Sequence, residues 1–286
     1  MNDQVTQIIQ RVEELPTLPG ISMQIMQMVN NPSTSAYELA KLIEKDPALA
    51  TKILKTVNSA YYSLSRKIGS IQHAIGFLGF RKLSQLIVTV SVFKDLTVSE
   101  SAYSMKKFWI HSLLTAECAR IVCAMTRKNR EDDAYTAGLL HDIGKLFLVK
   151  YFPVEMHAAL ENAGKENMFA IDSELQFIGT EHAYVGALLA QKWRLPDFIV
   201  DAIRHHHSTS TDPILPENKD IVNIIAFSDV FIHMMTAQSY PVTGVYEYSE
   251  SALISLGLSE DSLRVVASSI EAKMVAAEEL LHILRE

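Results

Sequence analysis

Between residues 101 and 240 of the 286-residue chain lie His111, the doublet His141-Asp142, His182, the run His205-His206-His207 and Asp229. Imidazole nitrogens and carboxylate oxygens offered by several packed helices make a mixed N/O site, suited to iron, manganese, zinc or a similar divalent ion and less to calcium. Helical proteins commonly build metal centres in this way. Neighbouring residues on a helix point about 100° apart, so His141 and Asp142 share an ion only if it sits over the groove between their directions. Each position also has a plainer reading. His111, between Trp109 and Leu113, fits a hydrogen-bonded core histidine, and His182 fits an ordinary residue near a helix start. The run at 205–207 fits the negative end of a helix dipole. Asp229 lies within Ile224-Ile225-Ala226-Phe227-Ser228-Asp229-Val230-Phe231 and is harder to dismiss, because an unpaired carboxylate is costly to bury.

The phrase Gly138-Leu139-Leu140-His141-Asp142-Ile143-Gly144-Lys145 is more specific than any single histidine. It is expected to place His, Asp and Lys in the middle of an apolar helix. Its two glycines each cost that helix about 1 kcal/mol, and close packing against neighbouring elements is the expected compensation.

The elements that must position these residues read as helices throughout. Apolar residues recur at i, i+3, i+4 and i+7, strand-like alternation is hard to find, and the expected fold class is all-α. The first helix, about 3–14, stops at Leu15-Pro16-Thr17-Leu18-Pro19-Gly20, where each proline drives its predecessor out of helical geometry. A second runs to Asn30. Ser35-Ala36-Tyr37-Glu38 has the spacing of a capping box, and Asp46-Pro47 that of an N-cap followed by a first-turn proline. A basic link at 65–69 precedes Ser70, which caps a short helix ending at Gly79, and another helix continues to about Leu96. Further helices are expected at about 105–127, 131–149, 153–165, 171–191, 196–207, 219–237 and 259–284, with connections at 208–218 and 241–250. The polar stretch 97–104 is the best internal boundary. It divides a first lobe, 1–100, from a closely packed second lobe, 101–240, that carries the His/Asp cluster, with a helical extension at 241–286.

The net charge of −7 and pI near 5.8 argue against a protein that works on nucleic acid or anionic membranes, because both attract basic surfaces. Hydrophobic residues make up 48% of the chain, enough for a sizeable core. Cys118 and Cys123, five apart on one apolar stretch, point in different directions and read as buried, reduced thiols, as expected in the cytoplasm. No signal peptide is visible. No apolar run reaches the roughly 20 residues that span a bilayer; the most apolar segment, Leu83 to Phe93, reads as a core helix.

Leu140-His141-Asp142-Ile143-Gly144-Lys145 resembles the signature of the HD superfamily of metal-dependent phosphohydrolases. Four further motifs narrow the resemblance to its HDOD branch, output domains of bacterial signalling proteins: Leu15-Pro16-Thr17-Leu18-Pro19, Ile43-Glu44-Lys45-Asp46-Pro47-Ala48-Leu49, Leu54-Lys55-Thr56-Val57-Asn58-Ser59-Ala60 and Ala74-Ile75-Gly76-Phe77-Leu78-Gly79. The resemblance covers about residues 10–240 and implies a multi-helical HDOD/HD-like fold. It also implies a ligand set for a divalent ion (Fe, Mn, Zn or Mg): His111, His141, Asp142, His182, His206, His207 and Asp229. Lys145 stands where active relatives contact phosphate. Cyclic-di-GMP diesterases of the related HD-GYP branch follow their His-His pair with an acidic residue and a Gly-Tyr-Pro turn. Here the chain reads Ser208-Thr209-Ser210-Thr211-Asp212-Pro213, which argues against that substrate.

Two functions follow from the resemblance. One is a signal-transduction output module that binds a protein partner or a small nucleotide-like ligand without turnover, for which the HDOD-type first lobe speaks. The other is a divalent-metal phosphohydrolase acting on a nucleotide or phosphodiester. In it the metal lowers the pKa of water, Asp142 ligates and orients that water, and Lys145 neutralises phosphate charge. A histidine cluster that holds no ion is the plain alternative to both.

Overall fold

A computed structural model describes residues 33–62, 64, 66–95, 103–166, 170–207, 213–236 and 255–285, with positions 8, 10, 24, 25 and 28. The helices expected at 3–14 and up to Asn30, the Leu15–Gly20 break, most of the 97–104 boundary and the connection at 241–250 lie outside them. Among the described residues there is no strand, and twelve α-helices follow one another, as the periodicity requires. Contacts group the chain into two compact units, Met1–Leu15 with Val98–Ile270 and Pro16–Thr97 with Glu271–Glu286.

In the smaller unit, α1 (Ala36–Ile43), α2 (Pro47–Val57) and α3 (Ile71–Asp95) begin where their caps dictate. The Ser35 hydroxyl accepts from the Glu38 amide at 3.2 Å while the Glu38 carboxylate accepts from the Ser35 amide at 2.9 Å, a complete capping box. Asp46 accepts from the Leu49 amide at 3.0 Å, ahead of Pro47. Ser70 caps α3 through the His73 amide, and α3 kinks at Gly79, whose φ of +78° suits glycine. Asn58 closes the link before α3: its side chain donates to the Ile68 carbonyl and accepts from the Ile68 amide, at 2.8 and 2.7 Å. Within the same unit Glu279, on α12 (Glu260–Arg285), accepts from the Ala60 amide, and Lys273 lies over the Tyr61 ring.

Gly76 is an exposed α3 residue with nothing within 4 Å of where a Cβ would stand. Gly76→Ala is therefore expected to raise stability by about 0.5–1 kcal/mol, from the helix propensity gained at no steric cost. Urea denaturation checks it, and a loss instead would show that this part of α3 is packed.

The larger unit contains α4 (Met105–Met125), α5 (Glu131–Leu140), α6 (Ile143–Tyr151), α7 (Pro153–Glu166), α8 (Ala170–Phe177), α9 (His182–Lys192), α10 (Asp197–His205) and α11 (Lys219–Met235). Helix α4 is its centre and packs on α5 and α11. By length and composition α4 alone among the described helices could cross a membrane, contrary to the reading that no segment is long and apolar enough; 72% of its apolar window is buried within the protein. Both cysteines are free and buried on it.

The glycines of the motif are contact points. A Cβ at Gly138 would stand 2.9 Å from the Ala116 Cα, so α5 approaches α4 backbone to backbone. A Cβ at Gly144 would stand 1.9 Å from the His182 carbonyl oxygen and 2.7 Å from the Gly186 amide nitrogen. The first turn of α6 is thus pressed against that of α9, which sets Asp142 opposite His182.

Candidate metal centre

Three expected helices are interrupted, and each interruption carries candidate ligands. The helix expected over 131–149 breaks into α5 and α6, with His141 and Asp142 as the two junction residues. Asp142 holds the N-cap position of α6 but makes no capping bond, and its carboxylate turns to the site instead. The doublet is therefore not in mid-helix, and the bend lets both side chains face one point. The helix expected over 171–191 breaks between Phe177 and His182, with Gly179 at φ +81°, so that His182 opens α9. The helix expected to reach 207 ends at His205, leaving His206 and His207 on the following turn.

All seven expected positions come together, joined by His233. The shared element is Asp142. Its Oδ2 faces His141 Nε2 at 3.4 Å and His111 Nε2 at 3.8 Å, and its Oδ1 faces His182 Nε2 at 3.1 Å and His206 Nε2 at 3.6 Å. On the first side Asp229 Oδ1 stands 3.0 Å from His111 Nε2 and 3.4 Å from His141 Nε2. On the second side His207 Nε2 lies 3.1 Å from His182 Nε2. The result is two adjacent donor sets, His111/His141/Asp142/Asp229 and Asp142/His182/His206/His207, on opposite oxygens of one carboxylate. Lys145, one turn along α6, donates to Asp142 Oδ2 at 2.6 Å. His205 does not join either set.

The ring orientations are fixed from behind. Carbonyl oxygens only accept, so His141 Nδ1 donates to Gly138 O at 2.7 Å and His206 Nδ1 to Ile203 O at 2.8 Å. Glu174 Oε2 accepts from both the backbone amide and Nδ1 of His182, at 2.8 and 2.7 Å. All three rings consequently present Nε2 inward, the arrangement that supports metal-ligating histidines. Glu174, eight residues before His182, and His233, one turn after Asp229, were not singled out from the sequence. The i+4 spacing to Asp229 was the available signal for His233; for Glu174 there was none, because its reach depends on the break at Gly179.

The donor set fits divalent cations. Asp142 Oδ1, Asp229 Oδ1 and His206 Nε2 are buried without a hydrogen-bond partner, an arrangement costly unless something else satisfies them. Imidazole nitrogens also face each other across 3.3 Å (His111 and His141) and 3.1 Å (His182 and His207), where two lone pairs repel unless a proton or cation intervenes. Burial opposes charge throughout, yet the imidazoles around them, joined by Lys145 at Asp142, hold Asp142 and Asp229 well below the ordinary carboxylate range. Burial likewise disfavours charge on the histidines. Against it, Asp142 and Asp229 keep His141 above its usual value and Glu174 keeps His182 up at about 9, whereas burial and neighbouring His233 push His111 down to about 3. Two ionised carboxylates thus anchor a cluster whose compensating protons divalent ions can displace.

Glu174→Ala should weaken the second donor set by about 10- to 100-fold in metal affinity, the usual cost of an orienting partner, and leave the first set unchanged. Calorimetric titration of Mn²⁺ into wild type and variant checks this; equal affinities would mean that His182 needs no support.

A family profile, the HDOD domain, matches residues 15–209. A protein of Treponema pallidum (strain Nichols) without an assigned function is 27% identical over 276 residues, 95% of this chain and 52% of that protein. The chain thus spans about half the length of that relative. Among solved structures, an HDOD domain protein of unknown function from Geobacter sulfurreducens superposes with a TM-score of 0.74 at 28% identity, covering 96% of this chain and 95% of the other. A proposed phosphohydrolase from Shewanella amazonensis SB2B superposes with a TM-score of 0.77 at 23% identity, covering 97% of each chain, and shares the fold.

Proposed function

This chain belongs to the HDOD family, and from that premise we propose that its larger unit is a divalent-metal phosphohydrolase centre acting on a phosphate ester or phosphodiester of a nucleotide-like ligand. One observation supports the reading: the two oxygens of Asp142 face different imidazoles, Oδ2 those of His111 and His141 and Oδ1 those of His182 and His206. Four protein donors fall short of the six that an octahedral ion such as Mn²⁺ takes and would leave positions for water or substrate on it, whereas on tetrahedral Zn²⁺ the same four would close the site. Bound divalent ions supply Lewis acidity that activates water and neutralises phosphate charge. The chain's own residues do the rest. Asp142 bridges the sets, Lys145 holds that carboxylate and adds the positive charge that draws a phosphate to it, and Glu174 fixes the His182 ring.

Burial favours a second reading. Every donor except His207 has a side chain no more than 8% exposed. A centre this enclosed also suits an output module that binds a signalling partner or a nucleotide-like ligand in the cytoplasm without turnover. Purified protein loaded with Mn²⁺ or Fe²⁺ and assayed against cyclic dinucleotides, guanosine polyphosphates and a simple phosphodiester separates the two. Product formation that chelation stops supports the hydrolase. Silence from protein shown by elemental analysis to carry two ions per chain leaves the binding module.

A further inference from the structure

Tyr103 stands immediately before Ser104, which caps α4 by accepting from the Lys107 amide at 3.3 Å. From there its ring meets that of Phe108, the fourth residue of the helix, with centroids 6.1 Å apart and planes inclined by 57°, the pairing of a hydrophobic staple. Phe108 is itself buried, edge to face against Trp109, so the Tyr103 ring has a fixed anchor. A plain reading exists: a staple needs only an apolar ring, and phenylalanine would serve as well. That reading leaves the position of the hydroxyl without a reason. Burial raises the phenol above its usual pKa, and the charges within reach of it are those of Lys145, Asp142 and Glu174, all in the same unit as Tyr103. Lys145 donates to Asp142 at 2.6 Å, and Glu174 holds His182, so the phenol stands beside the second donor set. This is also the more open side of the centre: Tyr103 is half-buried, and His207, a member of that set, is the most exposed donor at 16%. Glu174 accepts both His182 donors on Oε2, whereas its Oε1 is buried without a hydrogen-bond partner. The polar lining here therefore exceeds what the protein's own groups satisfy.

We propose that Tyr103 is a ligand-binding residue of this centre, its hydroxyl donating a hydrogen bond to a non-bridging oxygen of a phosphate group that Lys145 attracts. A neutral donor fits the position. Asp142 and Glu174 repel an arriving anion, and Lys145 is already engaged with Asp142. A further buried cation would carry its own desolvation cost, whereas a phenol donates without adding charge. The staple on Phe108 holds the ring before the ligand arrives, which lowers the ordering cost of the contact. The inference rests on the phosphate chemistry of the function proposed above and not on turnover.

Calorimetric titration of inorganic phosphate into the Mn²⁺-loaded full chain tests it. Tyr103→Phe keeps the ring and its contact with Phe108 and removes only the hydroxyl. It is expected to weaken phosphate binding by about 10-fold, the scale of one hydrogen bond to a charged group. Its Mn²⁺ affinity and its midpoint of urea denaturation should stay those of the wild type, because the phenol belongs to neither donor set. Equal phosphate affinity in variant and wild type would mean that the hydroxyl meets no ligand and that the staple is its whole role. A loss of Mn²⁺ affinity in the variant would overturn the assignment as well, since the phenol would then act on the ions. Ion-loaded wild type that binds no phosphate is a distinct result: the phosphate chemistry proposed for the centre fails, and this assignment falls with it.

Discussion

Asp142→Ala should empty both donor sets, taking the metal content from two ions per chain to none and abolishing any turnover. The reason is geometric. Asp142 faces both groups with separate oxygens: Oδ2 lies among His111, His141 and Lys145, and Oδ1 among His182 and His206; Asp229 does so more weakly, with Oδ1 beside His111 and His141 and Oδ2 3.8 Å from His207 alone. Losing an orienting residue behind a ligand costs about 10- to 100-fold in affinity; loss of the shared ligand should exceed that for each set. The same change acts on the fold without metal. Lys145 is buried and donates to Asp142 at 2.6 Å, and taking away its carboxylate leaves that charge among imidazoles. Breaking a buried ion pair from one side costs about 3–5 kcal/mol. Asp220→Ala is the control: it breaks a 2.9 Å pair with Lys128 whose side chains are 40–50% exposed, and exposed pairs contribute about 0–1 kcal/mol. Urea denaturation in chelator and elemental analysis read both effects. A variant that still carried two ions would show that the sets do not share Asp142.

Gly144→Ala should be the most damaging single methyl group in the larger unit. The added Cβ would meet the His182 carbonyl oxygen at 1.9 Å and the Gly186 nitrogen at 2.7 Å, both backbone atoms that cannot swing aside. Overpacking a core costs about 1–3 kcal/mol and occasionally more, and a clash with helix backbone belongs at or above the top of that range. The damage should also reach the metal, because the residue pushed away is His182 itself. A graded series follows from the neighbouring glycines. Gly138→Ala meets the Ala116 backbone at 2.9 Å and should be severe. Gly186→Ala meets the Ile203 Cγ2 at 2.8 Å, a methyl held by a stiff χ1, and the Gly144 amide nitrogen at 3.1 Å; these approaches are longer than the clash at Gly144, and the change should be milder. Denaturation midpoints of the three variants, with Mn²⁺ affinity for the first, check the order. If Gly144→Ala were no worse than Gly186→Ala, α6 and α9 would be free to part by the width of a methyl group.

Much of this molecule was legible along the chain because the signals are local. Apolar spacing gives helices, and Ser35-Glu38, Asp46-Pro47, Ser70 and Gly79 start, stop or bend them through bonds or dihedrals that involve only near neighbours. The expense of glycine within an apolar helix correctly announced close contact at Gly138 and Gly144. The residue types that converge were also named, since His and Asp in apolar surroundings need partners wherever they occur.

What only tertiary structure decided is where those helices break and which atoms face which. Periodicity alone ran 131–149, 171–191 and 196–207 as continuous helices, because their residues keep a helical pattern across the junctions. In the folded chain they end or break at His141-Asp142, before and after Gly179, and after His205, and the close approach of α6 to α9 at Gly144 brings the first two of these junctions together. Glu174 behind His182 and His233 beside His111 are likewise set by tertiary contacts, the second by the packing of α11 on α4. A sequence states which groups must be satisfied when buried; the partners, the shared use of Asp142 and the two donor sets arise from distances between segments remote along the chain, which no local pattern encodes.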